Sequence, residues 1–194
     1  MMDGVSDQPD AAPDAASATA NRVRLLAAIA AAVLVADIIT KTIAVAQLEG
    51  EPPVPILGGL IYLQLLRNPG AAFSMATGFT WILSVIAIAV VVVIVRVSRR
   101  LRSTGWAVAL GLVLGGALGN LMDRIFRAPG PLQGHVVDMV SPFAPNGEAF
   151  AVFNLADSAI TCGGVLLVVL ALFGYELDGS HDHDRKTGGG SVHG

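Results

Sequence analysis

Four apolar blocks dominate the chain: Leu25 to Ala46, Phe79 to Val95, Trp106 to Met122 and Phe150 to Phe173. Each is close to the ~20 residues that a helix needs to cross a bilayer. The 194 residues are 54% hydrophobic and only 14% charged, an apolar excess over ordinary globular composition. The expected fold class is therefore an all-α membrane protein, a four-transmembrane-helix bundle. Net charge is −3 and the acids crowd towards the two ends, so no basic surface offers itself to nucleic acid, which is not expected as a partner. The lone cysteine, Cys162, excludes an intrachain disulfide framework and a Cys-rich zinc site, and is expected to be a small buried apolar residue.

The stretch up to Asn21 is rich in Ala, Asp, Pro and Ser and has too few large apolar side chains to bury a core. Residues 1–24 thus read as a disordered tail, 25–174 as the membrane domain and 175–194 as a flexible C-terminal tail. The first apolar block lies too far from the N-terminus for a cleavable signal peptide, so it is expected to be retained. Arg96, Arg99, Arg100 and Arg102 follow the second span. By the positive-inside rule that loop is cytoplasmic, and with four spans both tails are too. Gln47 to Gly78 and Ile125 to Ala149 then face outward. They hold most of the prolines and turn glycines, and Ile61 to Leu66 reads as a strand, which gives a small extracytoplasmic, partly β cap. His181, Asp182, His183 and Asp184 sit in a Gly-rich end that reads as solvated rather than metal-binding. No metal or cofactor is expected.

Three carboxylates gather at the outer ends of spans three and four: Asp123, Asp138 and Asp157. Asp123 has Arg127 one helical turn on and is expected to be structural. Asp138 lies between Val136-Val137 and Met139-Val140, where desolvation favours the neutral acid, and Asp157 sits in the first turns of an apolar helix. Brought together, these two would share one proton. One can then activate a water while the other donates to a carbonyl oxygen, which is peptide hydrolysis with neither metal nor covalent nucleophile. Carboxylates in membrane helices also serve folding and ion pathways, so a structural role stands beside the catalytic one.

Gly111, Gly115 and Gly119 form a stripe in span three that admits a close helix neighbour, with Gly116 beside it. Asn120 and Arg124 follow one turn apart, placed either to glue helices or to hold a backbone laid against them. In span one, Asp37 and Lys41 stand four apart and are expected to pair, a structural role. Asn68, in Asn68-Pro69-Gly70-Ala71-Ala72-Phe73-Ser74, either holds a substrate chain or caps a turn.

Taken in order, Asp37 with Lys41, the Asn68 to Phe73 run, Gly115 to Arg124, Val136-Val137-Asp138 and Phe153 to Ser158 resemble the lipoprotein signal peptidases (signal peptidase II), four-span bacterial aspartic proteases. The resemblance covers nearly all of Leu25 to Phe173. It implies that Asp138 and Asp157 are the catalytic dyad and that Asn68, Gly116, Asn120, Arg124 and Asn154 line the site and hold substrate or dyad. It implies cleavage of signal peptides from lipid-modified prolipoproteins just before the diacylglyceryl cysteine. The protein would be a monomer in the bacterial inner membrane, in contact with its lipids. Two departures touch loop geometry: Met139 stands where the family often has an aromatic residue, and Arg127 to Gln133 lengthens the approach to Asp138.

A rival reading is a proton- or ion-coupled transporter with Asp37, Asp123 and Asp157 as a relay. Against it, the carboxylates other than Asp37 cluster towards one face, and four short spans show no inverted repeat. A non-catalytic scaffold, the third reading, leaves two desolvated aspartates without a purpose.

Overall fold

A computed structural model describes residues 12–70 and 80–180. It contains four helices long and apolar enough to span a membrane, α1 (Ala12–Leu48), α2 (Thr80–Val97), α3 (Thr104–Phe126) and α4 (Leu155–Leu172), and three strands, β1 (Val54–Ile56), β2 (Ile61–Asn68) and β3 (Val136–Pro142).

The helix α3 is the hub. Over its most apolar stretch 56% of residues are buried inside the protein, against 17% in each of the other three. Its glycines are the reason. A Cβ on Gly115 would lie 2.7 Å from the Ala30 carbonyl oxygen of α1, and one on Gly111 would lie 3.0 Å from Leu26 O. On the opposite side, a Cβ on Gly116 would lie 2.4 Å from Ala156 O of α4, and Gly163 of α4 is pressed as closely on Ala109 O. Backbones approach this closely only where side chains are absent. The outward faces of the other helices carry Val35, Ile39 and Ile43, Trp81, Val85 and Val92, and Val165, Val168 and Leu172, all exposed. Apolar surface on this scale is suited to lipid rather than water. Cys162, expected inside, is on this exposed surface of α4.

The strands form one antiparallel sheet in the order β1-β2-β3. Leu66 faces Asp138 and Asn68 faces Val136, with a register irregularity between Leu63 and Leu66. Side chains alternate along a strand. Val137 and Met139 pack on Ala44, Val45 and Leu48 of α1, so Asp138 between them is turned the other way.

Three boundaries differ from the sequence reading. Ala12 to Asn21, expected as part of a disordered tail, is the start of α1. This stretch is dominated by alanine, the best helix former, and the helix extends through it instead of stopping at the membrane. At the other end Tyr175 to Ser180, expected to be flexible, is seated on the α2–α3 loop. Leu177 O accepts from the backbone N–H of Arg102 and Ser103, and the Leu177 side chain packs on the core. Thirdly, α4 starts at Leu155, not Phe150. Phe153 instead bridges to Val140, exchanging backbone hydrogen bonds of 3.0 Å, and Asn154 then caps the helix. His181 to Asp184 and Ala71 to Ser74 lie outside the described residues.

The glycine contacts make a prediction. Gly115→Ala should lower unfolding free energy by about 1–3 kcal/mol through overpacking on α1. Gly164→Ala, where the added carbon meets nothing within 4 Å, should be neutral or slightly stabilising. Thermal unfolding of both in detergent checks this, and equal midpoints would refute close packing as the reason for Gly115.

Candidate active site

Three structural elements converge at one end of the bundle: the end of α3, strand β3 and the start of α4. Asn154 is the N-cap of α4, and its side-chain oxygen accepts from the Asp157 N–H at 2.9 Å. The Asp157 carboxylate reaches back to the Asn154 N–H at 3.2 Å, which completes a capping box. This exchange decides the orientation of the Asn154 amide. With its oxygen committed to the helix, its nitrogen faces β3 and donates to Asp138 Oδ1 at 2.7 Å. One residue therefore bridges the two carboxylates, by its backbone to Asp157 and by its side chain to Asp138.

Each carboxylate has a second amide donor. Asn68 Nδ2 donates to Asp138 Oδ2 at 2.8 Å, and Asn120 Nδ2 donates to Asp157 Oδ1 at 2.7 Å. Asn68 is held in its turn by accepting from the Gly70 N–H at 2.8 Å, where Gly70 has φ +116°. That is a left-handed conformation in which glycine avoids the steric penalty. Burial pushes the Asp138 carboxyl up to about 6, and the nearby Asp157 charge pushes the same way; the hydrogen bonds from Asn68 and Asn154 and the Lys41 charge oppose it.

A buried ionic cluster supports this pair. Lys41 Nζ lies 2.7 Å from Asp37 Oδ2, 3.0 Å from Asp123 Oδ2 and 3.0 Å from Asn120 Oδ1. Asp37 accepts from the Ala156 N–H at 3.0 Å and so caps α4 from α1. Gly119 leaves the space for it, since a Cβ there would lie 2.5 Å from Asp37 Oδ2. Asp123 pairs with Arg127, as its spacing implied, and also accepts from the Val137 N–H at 3.1 Å, which ties β3 to α3.

In front of the pair is a cleft of about 620 Å³, lined by Asn68, Leu83, Arg124, Asn146, Phe153 and Asp157 among others. Asp157 opens onto it, while Asp138, 1% exposed, lies behind Asn68 and Asn154. Arg124 is buried, and its Nη1 has no hydrogen-bond partner among the described residues. Of the five residues expected to line the site, Asn68 and Arg124 face the cleft. Asn120 and Asn154 commit their amides to the carboxylates, and Gly116 is placed at the α3–α4 contact because a side chain there would strike α4.

The sequence reading passed over several supports. Gly134 is one: its Cβ would lie 2.2 Å from Asp123 O, so the chain returning to β3 can dock on the end of α3 only without a side chain. Gln64 is buried and accepts from the Asn146 N–H at 2.8 Å, and Ser141 accepts from the Gly147 N–H at 3.1 Å, which holds the cleft wall. Ser84, buried in α2, donates to Leu132 O at 2.7 Å. A polar residue within an apolar run was the available signal for Gln64 and Ser84.

A multi-pass helical fold with a carboxylate pair beneath a small sheet places the chain among enzymes of the bacterial membrane. Two solved structures, each titled as a bacterial membrane enzyme, share the fold. One has a TM-score of 0.64 at 29% identity, covering 74% of this chain and 90% of its own; the other has 0.62 at 25%, covering 86% and 91%. Residues 29–173 match the family model described as signal peptidase (SPase) II. A lipoprotein signal peptidase of Rhodococcus jostii is 53% identical over 180 residues, 93% of this chain and 88% of that protein. One of Mycobacterium avium is 55% identical over 157 residues, 81% and 84%. The chain belongs to the signal peptidase II family, which is a family of aspartic-type endopeptidases. Family membership removes the support for the transporter reading.

The Asp138 environment has a pH consequence. Its folded-state value lies above that of an unfolded chain, so between about pH 4 and 6 the folded protein keeps a proton that the unfolded one has lost. Stability from this group must fall as pH rises through that window. The difference in melting temperature between the parent and Asp138→Asn should therefore shift against the parent from pH 4 to 6 and flatten above it. A difference independent of pH would show that Asp138 is not perturbed.

Proposed function

We propose that this protein removes signal peptides from lipid-modified prolipoproteins, cutting just before the diacylglyceryl cysteine, with Asp138 and Asp157 as the water-activating pair. The observation that carries the reading is the Asn154 bridge, which ties Asp157, on the cleft, to Asp138, buried behind it. Asp157, at the N-terminal end of α4 and with two N–H donors on its oxygens, is built to hold negative charge. Asp138, pushed up to about 6, takes up a proton more readily than an ordinary carboxylate, which suits the role of the acid.

Water adds to the scissile carbonyl carbon, one water proton passes to Asp157, and the Asp138 proton passes to the carbonyl oxygen. When the tetrahedral intermediate collapses, Asp157 gives its proton to the leaving amine and Asp138 takes one back from the hydroxyl. Each carboxylate oxygen keeps a lone pair beyond the one its amide donor occupies, so the amides need not leave. Asn68 and Arg124 are placed to hold the substrate backbone.

Acyl chains could contribute about 0.8 kcal/mol per buried CH₂, but they already lie in lipid before meeting the enzyme, so most of that cancels. What remains is the depth at which the cysteine is held, and a 1 Å misplacement can cost ~100-fold in rate.

Purified protein given matched precursors that differ only in lipidation should release signal peptide from the lipidated one alone. Asp138→Asn and Asp157→Asn should each lower turnover on the order of 10²–10⁴-fold while remaining folded. Asp123→Asn should lose mainly stability. Equal cleavage of both precursors would remove the lipid requirement, and a folded Asp138→Asn with near-parental turnover would remove the dyad.

We place the N-terminus, the C-terminus and the Arg96 to Arg102 loop in the cytoplasm, with the cleft near the outer face, because the arginines concentrate in that loop. Reporters at both termini and at Ser98 should report cytoplasm and one after Pro145 the outside; an external signal from Ser98 would invert the arrangement.

A further inference from the structure

We propose that Lys41 is a positioning residue for the peptidase reaction: by holding the side-chain oxygen of Asn120 it aims the Asn120 amide nitrogen at Asp157. The inference rests on the reading of Asp157 as one of the two water-activating carboxylates.

Asn120 stands between Lys41 Nζ, 3.0 Å from its Oδ1, and Asp157 Oδ1, 2.7 Å from its Nδ2. An ammonium has only donors and an ionised carboxylate only acceptors, so a single orientation of the amide satisfies both sides. The Asn154 amide, 3.2 Å from Asn120 Oδ1, is a weaker hold, because its nitrogen also serves Asp138 at 2.7 Å and Val137 O at 3.3 Å. Without the ammonium, the Asn120 amide can turn its oxygen towards Asp157, replacing a donor by a second acceptor. The base then loses a hydrogen bond and gains a repulsion.

Lys41 itself cannot touch substrate. It is 1% exposed, and none of the cleft-lining residues is Lys41 or Asn120. Its effect should therefore fall on kcat and leave KM alone. Its carboxylate partners have other anchors: Asp37 on the Ala156 N–H, and Asp123 on Arg127 and the Val137 N–H. A charge-neutral replacement, Asp37→Asn with Lys41→Met, can thus remove the ammonium without leaving an unpaired carboxylate behind.

The test measures kcat and KM on a lipidated precursor, with melting temperature as the check of folding, for Asp37→Asn/Lys41→Met, for Asn120→Ala and for the triple variant. The expected result is a folded double variant with kcat down roughly 10- to 100-fold and KM within about twofold, the loss that follows from one hydrogen bond to a charged group. The triple variant should be no slower than Asn120→Ala alone if the hydrogen bond through Asn120 is the route by which Lys41 acts on turnover. Parental kcat in the folded double variant, or losses that simply multiply in the triple, would overturn the inference. If the Lys41 variants do not fold, Asn120→Asp carries the test: it keeps an oxygen for Lys41 and puts another, not a donor, towards Asp157. It should fold and lose at least as much kcat as Asn120→Ala, and parental kcat would overturn the proposal. Asp157→Asn run in parallel separates the two levels. If it stays active the dyad reading fails and this inference with it; if it is dead while the folded double variant is unimpaired, only the Lys41 inference fails.

Discussion

The ammonium of Lys41 is buried among acceptors from two helices, with Asp37 on its own helix and Asp123 and Asn120 on α3. Burying such charges costs several kcal/mol per ion, and the attraction between them offsets this only if every donor and acceptor is matched. In a bilayer no water is at hand to complete an imperfect set. The register of α1 against α3 is therefore severely restricted. The same carboxylates then capture the next elements through backbone N–H groups: Asp37 takes Ala156 of α4, and Asp123 takes Val137 of β3. Because α4 delivers Asp157 and β3 delivers Asp138, the ionic cluster that holds the bundle together also sets the relative positions of the carboxylate pair.

The two members of that pair stand in different settings. Asp157 is at the third position of a helix, where its oxygens accept from the Asn154 N–H and the Asn120 amide and the helix dipole favours an anion. Asp138 is on a strand whose neighbours Val137 and Met139 are packed into an apolar cluster, and its oxygens accept from the neutral amides of Asn68 and Asn154. On the proposed reading, this difference between a helix terminus and a buried strand separates the base from the acid.

The spans were legible in the sequence because length and hydropathy alone define them, and the Asp123–Arg127 and Asp37–Lys41 pairs because i,i+4 spacing defines them. The Lys41–Asp123 contact was not legible. Nothing local joins residues on different helices, and it is this contact that turns two separate pairs into one cluster. The start of α4 was misread because Phe150 to Phe153 is as apolar as a span. The isolated bridge of Phe153 to Val140 holds the chain against the sheet there, and the helix begins only after Asn154. The place of Asn120 after the glycine stripe marked it as a candidate and the resemblance supplied Asn154; that their amides serve the carboxylates follows from donor and acceptor matching in three dimensions. The cleft wall at Asn146 depends on Gln64, 82 positions away, a relation no pattern in one sequence displays.

The cleft also bears on what it can receive. Leu66, Leu83, Val152 and Phe153 make much of its lining apolar, yet Arg124 presents there a buried guanidinium whose Nη1 meets no acceptor among the described residues. Leaving a donor of this kind unmatched costs on the order of 1–3 kcal/mol, more when the group is charged. A ligand that recovers this must bring acceptors into apolar surroundings. An extended peptide does so, since its carbonyls recur at regular spacing and it has given up the internal hydrogen bonds that a helix would keep. On the proposed reading, a substrate that arrives as a membrane helix would unwind at the cleft, and its freed carbonyls would accept hydrogen bonds from Arg124 and the Asn68 amide.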